Sequence, residues 1–213
     1  MTDHYPGYDV LAKRSGQSWN AVTREVVEAR IAMPERDHVL DEERLALLRA
    51  VVDRLAPQPE DRPLVNTVAL LLEKLAGEEG DGYRHAGLPP LKQAWMRGLD
   101  AIEAEAVLRY GRSFTALCVD ERDSLLQAVA DGAVQGEAWA HLPPAVFFYW
   151  RLLPDTVAAY WSHPSAWSAM GFGGPASPRG YVRLGANQRD PWEAAETGDG
   201  ALLPPRVRNR HVR

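Results

Sequence analysis

Leu45, Leu48, Val52 and Leu55 recur at three- and four-residue steps between Asp41 and a proline pair, Pro57 and Pro59. That spacing puts all four side chains on one face of a helix and fits no strand, whose faces alternate every second residue. Asp41 is suited to accept from the first free backbone N–H groups, and Glu42 and Glu43 suit the positive end of the helix dipole. The prolines end the helix, because proline lacks the donor the next turn needs. A chain that opens its clearest pattern in this way is committed to packing helix against helix.

The same punctuation repeats along the sequence. Ser18 is placed to cap a helix to about Ala32, with Val22, Val26 and Ala29 on one side and Met33-Pro34 ending it. Leu64 to Ala76 is apolar on most sides, as a central helix is. Pro89-Pro90 opens a long helix to Tyr110, with Leu91, Trp95, Leu99, Ile102 and Ala106 as its stripe and Gly111 as its stop. Asp120 is expected to cap the next, with Asp123 near the reciprocal place and Leu125, Leu126 and Val129 inside. Pro143-Pro144 opens a last long helix through Phe147, Leu152 and Tyr160, which Pro154 should kink or split. Period-two alternation does not persist anywhere.

From His163 onward glycine, proline and arginine replace periodicity. A run this long without regular structure is unusual in a compact domain, yet Trp167, Phe172, Tyr181 and Trp192 argue against disorder, which is poor in aromatics. The expected fold is therefore all-α: an irregular helical bundle over residues 1–162, with 1–17 as an extended N-terminal segment, and a long, mostly non-regular C-terminal arm over 163–213 that docks on a partner.

Several functional classes have little support. The formal net charge is -5 and the pI about 5.7, so nothing global points to nucleic acid or an anionic membrane. The single cysteine, Cys118, cannot form an intrachain disulfide, and covalent haem, iron–sulfur and zinc-ribbon ligand sets are missing. Cys118 itself is expected to be buried and inert. Met1 to Val10 carries neither a secretory h-region nor a twin arginine, and Ala145 to Trp161 is too short and too polar to span a bilayer. A cytoplasmic location is expected, with export only on a partner's signal.

Candidate chemistry is sparse. Gly171-Phe172-Gly173-Gly174-Pro175 is glycine-rich, but follows no strand and opens no obvious helix, so the context of a dinucleotide fingerprint is missing. No two of the six histidines stand three or four apart, as a helical metal pair requires; His85, His141 and His163 read as surface or hydrogen-bonding residues. Glu103 and Glu105 point in different directions along one helix. Of the seven tryptophans, Trp19, Trp95 and Trp150 sit in helical patterns where core is the default. Trp161, Trp167 and Trp192 belong to the arm and divide between core and interface, since tryptophan buries much area with few rotors. The basic end, Arg206 to Arg213, is either a solvated tail or a clamp on an acidic surface.

The C-terminal third carries a resemblance. Asp155-Thr156-Val157-Ala158-Ala159-Tyr160-Trp161-Ser162-His163-Pro164, then Trp167-Ser168-Ala169-Met170-Gly171-Phe172-Gly173-Gly174-Pro175, resembles the gluconate 2-dehydrogenase subunit 3 family. Leu40-Asp41-Glu42-Glu43 to Asp53-Arg54-Leu55-Ala56-Pro57 is similar to the family's opening helix, and Arg109 to Phe114 to its turn before a helix. The similarity spans roughly His38 to Arg189. It implies a non-catalytic small subunit of a sugar or glycoside dehydrogenase, without a cofactor of its own. The implied catalytic partner is an FAD-bearing flavoprotein of the glucose–methanol–choline (GMC) type, often joined by a cytochrome c subunit, whose folding, stability or flavin loading the small subunit supports. Two departures from the family pattern are the missing twin arginine and Pro154.

On this reading the partner contacts are Trp161, His163, Trp167, Phe172, Tyr181 and Trp192 as anchors, with Arg179, Arg183 and Arg189 pairing with carboxylates. Neither membrane insertion nor nucleic-acid binding is expected. The rival classes are a stand-alone enzyme, a helical regulator holding DNA through its basic tail, and a self-associating helical protein without a redox partner.

Overall fold

The computed structural model describes residues 4–36, 39–77, 82–177, 179–181, 185, 189–198 and 201–210. Helices are α1 (Ala21–Ile31), α2 (Glu42–Leu55), α3 (Thr67–Gly77), α4 (Leu91–Tyr110), α5 (Val119–Asp131), α6 (Pro144–Phe147), α7 (Leu153–Trp161), α8 (Pro164–Ala169) and α9 (Pro205–Asn209), with a π-helical segment, Phe148–Leu152, joining α6 to α7. Among the described residues no strand forms; an isolated bridge pairs Trp19 with Ser177. The fold is all-α, as the periodicity predicts. The chain divides into two compact units, one of residues 34–58 and 67–159, the other of 1–33, 59–66 and 160–213. This division differs from the expected boundary at 162.

The first unit is the helical bundle. Trp95, Leu99, Ile102 and Ala106 of α4 are fully buried, on the stripe read from the sequence, and Gly111 ends the helix in the left-handed conformation at φ 66°. Asp41 caps α2 by accepting from Arg44 N–H at 2.9 Å. Arg44 makes a two-pronged ion pair with Asp100 of α4 (2.7 and 2.8 Å), and Arg54 another with Asp123 of α5 (2.8 and 2.9 Å). Asp123 is thus a cross-helix partner. The N-cap of α5 is Cys118, one turn's edge earlier than the expected Asp120, and Glu121 reaches back to the Cys118 N–H at 2.9 Å. The cap position also explains why Cys118 is exposed, where burial was expected.

Ahead of Pro154 the helix changes type, running from α6 through the π-helical segment Phe148–Leu152 into α7. Leu153 N–H returns to Phe148 O, a π-type turn placed immediately before the proline. The wider turn accommodates a residue that lacks a donor and whose ring crowds the preceding carbonyls. It also fixes which side chains face inward: Phe147, Phe148 and Leu152 are buried while Tyr149 and Trp150 are exposed. Trp150 was expected in the core; the π turn rotates it out.

Two buried polar knots tie this unit together. Asp155 accepts from Trp95 Nε1 of α4 and Lys74 Nζ of α3, both at 2.8 Å. Glu105 is fully buried and accepts from Arg109 Nε (2.5 Å) and from the backbone N–H groups of Gln135 (3.0 Å) and Gly136 (2.8 Å). Burial pushes the Glu105 pKa up, but the Arg109 guanidinium and the two amides outweigh it and hold the carboxyl below its ordinary value.

The second unit brings the two ends of the sequence together. Tyr8, Val10, Trp19 and Val27 share a hydrophobic core with Trp167, Trp192 and Ala194. The helix α1 is capped by Asn20, whose side chain accepts from Thr23 N–H at 2.8 Å, so Ser18 is not the cap. Its buried residue is Val27, while Val22 and Val26 face outward, opposite to expectation. The carbonyls at its C-terminal end are satisfied by Asn66 Nδ2, which donates to Arg30 O (3.1 Å) and Met33 O (2.9 Å). Asn209 of α9 is buried: it accepts from Ala195 N–H at 2.7 Å and donates to Pro6 O at 3.0 Å. The basic end is therefore anchored as far as Arg210, beyond which it lies outside the described residues. Described residues after 163 fold against the chain's own N-terminal segment, where an extended arm docked on a partner was expected.

Candidate functional site

The glycine-rich turn is the hinge of the second unit. Gly171 and Gly174 adopt φ 70° and 66°, which a side-chain-bearing residue reaches only with strain. A Cβ on Gly171 would lie 2.5 Å from the Tyr5 ring, and one on Gly173 would lie 2.4 Å from the Tyr181 hydroxyl. The glycines are there so that aromatic rings can press on the backbone. Their arrangement aims the Pro175 carbonyl inward, where it accepts from Trp19 Nε1 at 2.7 Å and from Lys13 Nζ at 3.2 Å. Tyr181 OH donates to Gly174 O at 2.7 Å, and Tyr8 OH donates to Trp192 O at 2.7 Å.

The expected anchor residues separate into two groups. Trp167 and Trp192 are buried in this core, and so is His163. Trp167 donates its indole N–H to Trp161 O at 2.7 Å, and Trp192 stacks edge-on against Tyr181. These three are expected anchors that the chain itself buries. Trp161 (41% exposed), Phe172 (43%) and Tyr181 (40%) do reach the surface. Trp161 packs edge-on against Tyr160, and Phe172 against Trp167 with ring centroids 5.8 Å apart, so both are held in place by neighbours.

The arginines divide similarly. Arg179 finds its carboxylate within the chain, at Asp190, 2.9 Å away, and stacks on the Trp192 ring at 4.8 Å. Arg189 donates to Ala194 O at 2.7 Å. Arg183 lies outside the described residues.

His163 is the N-cap of α8: its Nδ1 accepts from Ser165 N–H at 3.1 Å. Burial, and then the nearby Arg30 guanidinium, pushes its pKa down to about 4. It is a neutral acceptor with its proton on Nε2. His163 and Ser168 line a cleft of about 520 Å³ together with Asp9, Asp61, Arg62 and Arg206. The cleft carries both signs of charge, and Arg62 is engaged in it, donating to Tyr5 O and Tyr8 O at 3.2 Å each.

Two features were not read from the sequence. One is Lys13, a fully buried lysine that meets Trp19 nearby in the chain and Pro175, Tyr181 and Trp192 more than a hundred residues away. The other is an exposed aromatic cluster in the bundle, where Trp150 meets Tyr83 (centroids 5.9 Å apart) and His85 (5.2 Å). The aromatic run Phe147-Phe148-Tyr149-Trp150 signalled it, but only the π turn decides which two rings emerge.

Asp155, Glu105, His163 and Lys13, four of the buried titratable groups of the two units, are each engaged in holding segments together. Among the described residues no cluster of three or more His, Cys, Asp or Glu side chains could hold a metal ion, and no helix is long and apolar enough to cross a membrane. Fold and site together describe an all-α protein whose polar interior serves its own packing. More particularly, the chain belongs to the gluconate 2-dehydrogenase subunit 3 family, whose sequence pattern matches residues 42–174, from the first residue of α2 to the second left-handed glycine of the turn. The family is that of a subunit of a dehydrogenase complex, which implies a catalytic partner subunit. No curated protein and no solved structure gives a significant match.

Proposed function

We propose that this chain is the non-catalytic small subunit of a flavin-dependent sugar or glycoside dehydrogenase, and that it supports folding, stability or flavin loading of a GMC-type catalytic subunit. The observation that carries the reading is membership of a dehydrogenase-subunit family over residues 42–174. Exposed aromatic side chains that are already braced by neighbours support it: Trp161 and Phe172 in one unit, Tyr83 and Trp150 in the other. Such side chains lose little freedom on association and are common anchors of interfaces.

A subunit that binds only the folded flavoprotein stabilises it by mass action, by about 2.7 kcal/mol at a hundredfold excess over the dissociation constant. FAD and its chemistry belong to the partner in this account, and a cytochrome c subunit is a further component of the proposed complex. The test is co-expression with a flavoprotein encoded beside this chain. Flavin content and soluble yield of the catalytic subunit should fall several-fold when this chain is left out. Equal yield, flavin content and turnover in its absence would remove the accessory role, and turnover by this chain alone would replace it with an enzymatic one.

A further inference from the structure

Lys13 is an anomaly by ordinary burial rules. A lysine is almost never fully buried unless its charge is compensated, and this one has 0% of its surface exposed. Among the described residues no carboxylate forms a salt bridge with it. Its ammonium group lies instead within 5.7 Å of the Trp19 ring centroid, 5.7 Å of Tyr181 and 5.3 Å of Trp192, and donates to Pro175 O at 3.2 Å. Three aromatic faces within about 6 Å of one ammonium make the environment that proteins use to hold organic cations.

Each wall has a partner of its own besides the ammonium. Trp19 is tied to Pro175 O, Tyr181 to Gly174 O, and Trp192 is braced by Arg179 and edge-on by Tyr181. The charged groups facing the site are the Asp190 and Glu193 carboxylates, which favour the ammonium, and Arg179, which is neutralised by Asp190. Burial pushes the Lys13 pKa down to about 8, against the pull of those carboxylates, so the side chain is still charged near neutral pH. None of Lys13, Trp19, Pro175, Tyr181 and Trp192 lies in the segment, 42–174, that the family pattern covers.

We propose that Trp19, Tyr181 and Trp192 form a cation site for an alkylammonium group, that Lys13 is its tethered occupant, and that filling it fastens Tyr181 and Trp192 to the N-terminal segment. Lys13 sits at the end of a short 3-10 helix, Val10–Lys13, held by Asp9 at its start and by the Val10 N–H to Ser168 Oγ bond at 3.0 Å. The N-terminal segment thus delivers a cation and one wall, Trp19, into a box whose other parts come from the far end of the chain. The inference does not depend on the proposed enzyme complex and is tested without any partner.

Chymotrypsin cutting at Tyr181 and Trp192 of the full-length chain reads the closure of the box. Lys13→Ala should be cut roughly tenfold faster than the wild type, since cleavage follows the population of the opened form. n-Propylammonium chloride, which replaces the missing atoms, should restore protection, whereas equal concentrations of sodium chloride or 1-propanol should not. Lys13→Met keeps the apolar stem and loses the charge, and should be cut as fast as Lys13→Ala. Wild-type protection in Lys13→Met would show that the stem alone closes the box and would overturn the proposal. Failure of n-propylammonium to restore Lys13→Ala, whether that variant is folded or unfolded by its helical circular dichroism, would overturn it too.

Discussion

The Phe147 ring occupies the space that a side chain on Gly98 would need: a Cβ built there would stand 2.1 Å from Phe147 Cζ. Glycine in the middle of a twenty-residue helix is normally a weakness of about 1 kcal/mol relative to alanine. Here it is the condition for α4 and α6 to approach. Phe147 is itself fully buried, with Trp95 6.2 Å and Trp139 6.3 Å away between ring centroids.

Gly98→Ala should therefore destabilise the protein, although it improves helix propensity. Overpacking a tight core typically costs about 1–3 kcal/mol, more than the gain of about 1 kcal/mol from propensity. Thermal melting checks this: the midpoint should fall by several degrees, and a rise would show that α4 and α6 can part cheaply.

Asp155 is buried beneath three donors on three helical segments, Lys74, Trp95 and, at 3.7 Å, Arg151. Asp155→Ala would remove the buried carboxylate these groups converge on, at a cost of about 3 kcal/mol. Chemical denaturation should show it. Asp155→Asn, which still offers Trp95 an acceptor, should cost less than the alanine variant.

His163 makes stability depend on acid. The unfolded side chain takes up a proton near its ordinary pKa of 6.5, whereas the folded one resists until about 4. Its contribution is fully present above pH 6.5 and is lost as pH falls toward 4, up to about 3 kcal/mol. His163→Asn retains an acceptor for the Ser165 N–H but does not titrate, so its stability should lose the His163 component of the acid dependence. Denaturation midpoints for both proteins, compared from neutral to acid pH, decide it; identical slopes would contradict the account.

Gly173→Ala tests the turn itself. The added methyl would meet the Tyr181 hydroxyl at 2.4 Å and break its bond to Gly174 O. Faster hydrogen exchange across the second unit is expected, with the helical bundle unchanged.

What was legible in the sequence was what is local. The α4 stripe, the Asp41 cap and the Gly111 stop follow from spacing and residue type within a few positions. Where two local readings competed, the neighbours decided: Asp120 was the better capping side chain, but Cys118 holds the position, paired with Glu121, and Asp123 was taken by Arg54. In α1 a one-residue difference in facing exchanged Val26 for Val27. The folding of the C-terminal segment onto the N-terminus was not legible. Bonds such as Tyr8 to Trp192 and Asn209 to Pro6 join residues nearly two hundred positions apart and leave no periodic trace. Aromatic richness after 163 correctly argued for order, but could not say whose surface the rings would meet.

The measurement that bears most directly on the central claim is co-purification of this chain with its flavoprotein. A tagged wild-type chain should retain the yellow catalytic subunit through size-exclusion chromatography in fixed ratio, and a Trp161→Ala/Phe172→Ala chain, folded by circular dichroism, should lose it at least tenfold. A catalytic subunit that elutes alone, fully loaded with flavin and fully active beside the wild-type chain, would contradict the account.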